Sequence, residues 1–476
     1  MKHLLKKLAE NYLFLENVWE NSIIPKLMEY IKIPNKSPSY DPNWEEHGYM
    51  NKAVDLIQEW CQQQPVKGIK VEKMQIPGKT PVLLIDIPGE QTENPILIYG
   101  HLDKQPEMQG WLENLGPWLP VIAEGKLYGR GGADDGYSAF SAVTAVSYLQ
   151  NLNLPHCRVC ILIEASEESG SIDLPFYLEK LYPRIGKPSL IIGLDSGCGN
   201  YDQLWGTTSL RGLIIGNLKI KVLTEGIHSG YGGGVVPSCF AILRMLLDRI
   251  EDASTGKIKI KELNTPVPEQ QIHHTKLLAA TQKNKFRNKF PFAGHTEPLN
   301  QDDFELLLNQ SWHPSLSITG IKGMPNFSSS GNVIIPELTI KLSIRIPPDC
   351  DPTVAISALN SALKKDIPFN AEVEFIKLES AEGWLAKPLS PWLTEACENA
   401  SQTFFQKPAM FMGEGGSIPF MKILAKKFSE AEFFITGVLG PYSNAHGPNE
   451  FLHLEMAKKL TACIASIIAL HYERFN

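Results

Sequence analysis

The sequence predicts an α/β protein: a mixed, mostly parallel sheet sandwiched by helices, interrupted by an inserted α+β, ferredoxin-like domain. Three observations carry this reading. Short apolar runs alternate with helical stretches through the first two hundred residues, as in a covered parallel sheet. The order then becomes β-α-β-β-α-β, the pattern of a split βαβ domain. From about Ser390 the first pattern resumes. One domain is therefore expected at 1–208 and 388–476, and the other at 209–387.

Taken in order, Ile69–Ile76, Pro81–Ile87, Pro95–His101, Val159–Ala165 and Ser189–Asp195 are rich in Val, Ile and Leu and read as strands. Ser138–Leu152 carries apolar residues at helical spacing after a glycine-rich turn. Past the turn-like Thr207–Gly212, Leu218–Leu223 alternates apolar and polar residues, and Ser238–Ile250 reads as a helix. Ser315–Ile321 and Leu338–Ile346 are strand-like, Pro352–Lys364 is helical, and Ala371–Leu378 is strand-like again. An insertion of about 60 residues separates the first helix of this domain from its second strand. Helices at 390–406 and 417–427, a strand at 432–438 and a helix at 453–472 complete the first domain.

Composition narrows the class. The chain has 476 residues, 43% hydrophobic and 20% charged, with a formal net charge of −7. That excludes collagen-like, disordered and coiled-coil proteins, and argues against a broad nucleic-acid-binding surface. Residues 255–292 are locally basic, with eight Lys or Arg against Glu262 and Glu269. Without any stacking or groove-reading motif, this stretch reads as a solvated surface. The N-terminus reads as an amphipathic helix rather than a signal peptide, and the apolar run Leu460–Leu470 is too short to span a bilayer. Eight scattered cysteines form no disulfide framework. A cytoplasmic protein that engages neither membrane nor nucleic acid is expected.

Five segments place metal-ligand residue types at strand ends, where α/β sheets build their sites. They are Tyr99–Asp103 with His101 and Asp103; Gly129–Gly136 with Asp134; Glu167–Ser171 with Glu167 and Glu168; Asp195; and Ala445–Glu450 with His446. Alternation puts His101 and Asp103 on one side, so the carboxylate can hold the imidazole from behind. Any one of these residues alone would read as a cap or turn residue. Paired carboxylates beside apolar strands repel unless a cation offsets them. Two His, two or three Asp and a Glu match the ligand count for two zinc-like ions bridged by one carboxylate. Such ions share a water and lower its pKa toward 7, leaving the spare glutamate as general base.

In these motifs the chain resembles the co-catalytic zinc metallopeptidase family that includes glutamate carboxypeptidase, carnosinase-like cytosolic dipeptidases, aminoacylase and succinyl-diaminopimelate desuccinylase. The resemblance runs in order from about residue 20 to the C-terminus. It implies that His101 and Asp195 bind one ion, with Asp103 behind His101. It implies that Asp134 bridges both ions and precedes a cis peptide bond. Glu168 and His446 would hold the second ion, and Glu167 would act as general base. The inserted domain would be a lid and homodimer interface. His228 would reach the partner subunit's site and stabilise the oxyanion. Arg345 would bind the substrate carboxylate through its planar fork, with Asn332, Gly416 and Ser417 also on the substrate. Departures from the family are Gly136-Tyr137, where a Lys-Gly pair is common, and the absence of a histidine in Glu382–Pro388.

The expected activity is hydrolysis of dipeptides or short peptides from one end, through a metal-bridging water. Zinc is the expected metal, with manganese or cobalt as alternatives. A second possibility is an N-acyl-amino-acid amidohydrolase such as a desuccinylase, and a third is an inactive metal-binding scaffold. The CxxC at Cys157–Cys160 leads into an apolar strand and the glycine run at 230–234 lacks a phosphate-loop Lys, so neither points to other chemistry.

Overall fold

The computed structural model describes residues 2–282 and 286–475, so Lys283 and Lys285 of the basic stretch lie outside the described residues. The chain forms two compact units. One comprises Met1–Thr208, Ala386–Met412 and Pro419–Asn476; the other comprises Ser209–Leu385 and Gly413–Ile418.

The first unit is organised by one sheet, whose strands include, in this order, Lys70–Met74, Val82–Ile87, Cys157–Glu164, Gln91–His101, Leu190–Gly193, Glu432–Ile435 and Trp205–Leu210. The central four are parallel, and antiparallel strands flank them on both sides. The parallel strands are apolar on both faces, as burial on both faces requires. Helix Tyr137–Asn151 is buried along nearly its whole length, and its Ala and Ser residues keep it slim enough for close packing. Ser141 and Trp19 both hydrogen-bond Thr461 on the C-terminal helix Leu454–Arg474, at 2.8 and 3.2 Å. A small three-stranded sheet joins Phe451–His453 to Lys126–Tyr128 and Val121–Ala123.

Register decides where the chemistry emerges. His101 pairs with Glu164, Tyr99 with Gly193, and Gly193 with Ile435. All four parallel strands thus end along one edge, and the segments that follow them leave the sheet together.

In the second unit an antiparallel sheet has the order Ser315–Lys322, Glu337–Ile346, Gly212–Lys221, Glu372–Ala381. Alternate residues such as Ile214, Leu218, Ile340 and Leu342 pack against Ile242 and Leu246 of Cys239–Ile250 and Leu359 and Leu363 of Pro352–Lys364. This is the ferredoxin-like order. The long insertion is not a structureless loop: it contains helices Glu269–Gln282 and Asp303–Ser311.

Two local expectations need correction. The turn-like Thr207–Gly212 belongs to strands: Trp205–Leu210 is buried throughout, and Gly212 opens the next strand. Thr and Ser mimic turn chemistry in the sequence, but pairing and burial win here. The helix expected at 417–427 spans Pro419–Lys427.

Candidate active site and metal centre

His101 closes its strand and is wholly buried. Its Nε2 lies 3.1 Å from Asp134 Oδ1 and 3.7 Å from Asp195 Oδ2. On the far side of the ring, Nδ1 lies 3.2 Å from the Asp103 carbonyl and 3.4 Å from its carboxylate. Asp134 is presented by the glycine loop before Tyr137–Asn151, and the Asp134–Asp135 peptide bond is cis. Its other oxygen, Oδ2, lies 3.0 Å from His446 Nε2, which is 3.4 Å from Glu168. Asp134 therefore faces one imidazole with each oxygen. His101, Asp134 and Glu168 offer ligand atoms within 4.8 Å of one another, and so do His101, Glu167 and Asp195.

His446 is exposed and sits in a loop where Tyr442, Asn444, His446 and Asn449 all have φ between 54° and 65° or at 66°. Four left-handed non-glycine residues in one loop mark a conformation held by its surroundings, as functional sites often require.

The charges respond to crowding. Burial pushes Glu167 well above the usual carboxylate range, and Asp195 adds to the effect. Burial and then Asp134 push Glu168 up to about 8. Partial desolvation of the ring disfavours charge on His446, exposed as its outer side is, but Asp134 and Glu168 outweigh it and bring its pKa to about 9. Burial likewise opposes charge on His101, yet Asp103, Asp134 and Asp195 hold it protonated far above the ordinary range. Glu168 Oε1 is buried without a hydrogen-bond partner among the described residues, which leaves a lone pair for a ligand bond. The donor set of imidazoles and carboxylates fits a pair of divalent ions.

Several contributors were not singled out from sequence. Asp103 does more than back His101: its two carboxylate oxygens accept from Glu167 N at 3.0 Å and Glu168 N at 2.9 Å. Asp135 accepts from His101 N at 3.1 Å, and Gln105 Nε2 donates to Glu168 at 2.5 Å. Glu164 takes hydrogen bonds from Tyr99, Ser166 and Ser171 behind the Glu167 turn. The one signal for Glu164 was a charged residue ending the apolar Cys157–Glu164 strand. The partners of Asp103 are more than sixty residues away and left no local signal.

The remaining predicted residues lie in the second unit. Arg345 Nη1 donates to Ser417 Oγ at 3.0 Å, and Ser417 Oγ donates to the Arg211 carbonyl at 2.6 Å. Arg211, also not foreseen, is buried and donates to the carbonyls of Asn309 and His313 at 3.1 and 3.0 Å. His228 is exposed, its Nδ1 accepting from Gly230 N at 3.0 Å, and its strand Ile227–His228 pairs with Val333–Ile334. Asn332 is exposed and its carbonyl accepts from Ser229 N at 2.8 Å; Gly416 is exposed with open space where a Cβ would lie.

An imidazole–carboxylate cluster at the C-terminal edge of a parallel sheet is the site of a metal-dependent hydrolase. Comparison narrows the class. Peptidase family M20/M25/M40 matches residues 97–470, and the chain belongs to that family as a metal-dependent peptidase. It is similar to Beta-Ala-His dipeptidase of Homo sapiens, with 26% identity over 95% of this chain and 91% of the relative. It is also similar to Cys-Gly metallodipeptidase DUG1 of Saccharomyces cerevisiae, with 28% identity over 71% of each. In structure it resembles human carnosine dipeptidase 1, with TM-score 0.76 and 22% identity over 99% of both chains. Sso-CP2, an M20 family metallo-carboxypeptidase from Sulfolobus solfataricus, gives TM-score 0.75 and 20% identity over 95% of this chain and 99% of that one. Among the described residues, no helix is long and apolar enough to cross a membrane.

Proposed function

We propose that the protein is a dipeptidase using two divalent ions, with zinc as the expected metal. The observation that carries the reading is Asp134, which sets one carboxylate oxygen 3.1 Å from His101 and the other 3.0 Å from His446. His101 and Asp195 would hold one ion, Glu168 and His446 the other, and Asp134 both. The names of the relatives, Beta-Ala-His and Cys-Gly dipeptidases, support a dipeptide as substrate.

When bound, the ions polarise the scissile carbonyl and acidify the attacking water. The rest falls to side chains. Glu167 takes the water's proton and returns it to the leaving amine, from its place beside His101 and Asp195. Asp103 keeps Glu167 and Glu168 in place through their backbone N–H groups. Arg345, steadied by Ser417, is assigned to the substrate's terminal carboxylate, with Asn332 and Gly416 as further substrate contacts. His228 is assigned to the oxyanion of a partner subunit's substrate.

That assignment needs a homodimer. Tyr231, Val235, Phe327 and Val333 are exposed apolar side chains in the second unit, in segments close in sequence to the Ile227–His228 and Val333–Ile334 pairing, and they support an interface there. The second unit is accordingly assigned as lid and dimerisation domain, and the first as catalytic. Eight free, buried cysteines support a cytoplasmic location.

The test is Glu167→Gln in metal-loaded protein, assayed on a panel of dipeptides and N-acyl amino acids. We expect kcat on dipeptides to fall about 10²–10⁴-fold with metal content unchanged. Unchanged turnover by the variant would refute the assigned base. Wild-type turnover of N-acyl amino acids alone would replace the dipeptidase reading by an amidohydrolase.

A further inference from the structure

Two ligand-bearing loops, Gly129–Gly136 with Asp134 and Ala445–Glu450 with His446, are joined by a buried ion pair that no step above uses. Arg130 and Glu450 are 1% and 0% exposed. Arg130 Nη1 donates to Glu450 Oε2 at 2.5 Å, and Nη2 donates at 2.8 Å to the carbonyl of Gly447, the residue after His446. The other Glu450 oxygen accepts from Gly131 N at 2.9 Å, and the Glu450 carbonyl accepts from Gly129 N at 3.0 Å. Both loops are thus tied to each other through both residues of the pair, beside the pairing of Phe451 with Tyr128.

The loops need such a tie. The wider segment 442–450 around His446 holds four left-handed non-glycine residues. Internally it closes through Gly447 N to the Asn444 carbonyl at 2.9 Å and Asn444 Nδ2 to the Pro448 carbonyl at 2.5 Å. Neither bond reaches Asp134. The glycine loop is wedged from the other side: a Cβ on Gly131 would meet the Lys104 side chain at 2.6 Å, and Lys104 Nζ is itself fixed by the carbonyls of Tyr30 and Ile33 at 2.8 Å each. One loop is immobilised by packing, and the other is referred to it by Arg130 and Glu450.

We propose that Arg130 and Glu450 are a positioning pair that sets the spacing of Asp134 and His446, and so the affinity of the second metal position. Neither is among the ligands or substrate contacts assigned above. The inference rests on the reading that Asp134, Glu168 and His446 hold that ion.

The test titrates wild type, Glu450→Gln, Arg130→Lys and His446→Ala with zinc against a competing chelator, and counts ions per chain by elemental analysis. Expected for both Glu450→Gln and Arg130→Lys is a second-ion dissociation constant raised about 10–100-fold, as for other groups that orient ligands, with the first unchanged. Excess zinc should then restore kcat, which it would not do for a general folding defect. Two ions held as tightly as in wild type would overturn the proposal, and so would both lost in parallel. His446→Ala separates the two readings: if it keeps its second ion, the ligand assignment fails. If only His446→Ala loses that ion, the ligand assignment stands and the positioning role fails. Should the pair variants not fold, amide exchange in wild type decides. Residues 129–136 and 442–450 should gain protection together at the second binding step, and protection at different steps overturns the proposal.

Discussion

Replacing Asp103 by asparagine tests the site through a residue that is neither base nor ligand. Both oxygens of this buried carboxylate are committed, one to Glu167 N at 3.0 Å and one to Glu168 N at 2.9 Å. A carboxamide has one oxygen and one NH2, so in either orientation a donor meets a donor. One backbone N–H loses a charge-assisted hydrogen bond, a loss of about 1.5–3 kcal/mol. If that loss falls on the active geometry, it converts at about 1.4 kcal/mol per decade to a fall of about 10–100-fold in kcat/KM. The assay is dipeptide hydrolysis at saturating metal, with metal affinity measured separately by chelator competition. Both should weaken, because the substitution disturbs the base and a ligand together. Asp103→Ala, which removes both acceptors, should fall further. An Asp103→Asn enzyme within threefold of wild type in both measurements would refute the reasoning.

Two other outcomes are expected. In chelator, stability should fall as pH rises from about 5 to 9. Burial and then Asp134 raise Glu168 to about 8, so the folded state keeps a proton that the unfolded chain releases near pH 4.5. His446, raised to about 9 against the opposing effect of burial, adds stability below pH 6.5 that is lost through pH 9. Metal should reverse the trend because ligands bind deprotonated; a metal-free unfolding temperature that climbs across this window contradicts it. Arg345→Lys should raise KM for dipeptides about tenfold or more by losing the bidentate fork, while leaving C-terminally amidated dipeptides little changed. Equal effects on acids and amides would remove Arg345 from the carboxylate.

The long apolar strands and the ligand residues at their ends were legible because both obey local rules. Cys157–Glu164 and Leu190–Gly193 are runs of large aliphatics, and chemistry-bearing residues follow them directly. What stayed hidden depends on distant partners. Trp205–Leu210 resembles a turn until Leu210 and Ser209 find Trp384 and Leu385. Arg211 looks like a surface cation, yet its guanidinium is spent on carbonyls about a hundred residues away. Asp135 accepts from the backbone N–H of His101, 34 residues away, a link with no local sequence signal.

The position of Glu432–Ile435 between Leu190–Gly193 and Trp205–Leu210 has a consequence for biosynthesis. A ribosome makes both neighbours some two hundred residues before the strand that separates them. Until it arrives, the nascent sheet has an open slot whose two margins carry unpaired backbone groups, a template for pairing with other chains. In the full-length chain the same insertion joins segments more than two hundred residues apart, which predicts a slow phase in refolding from denaturant.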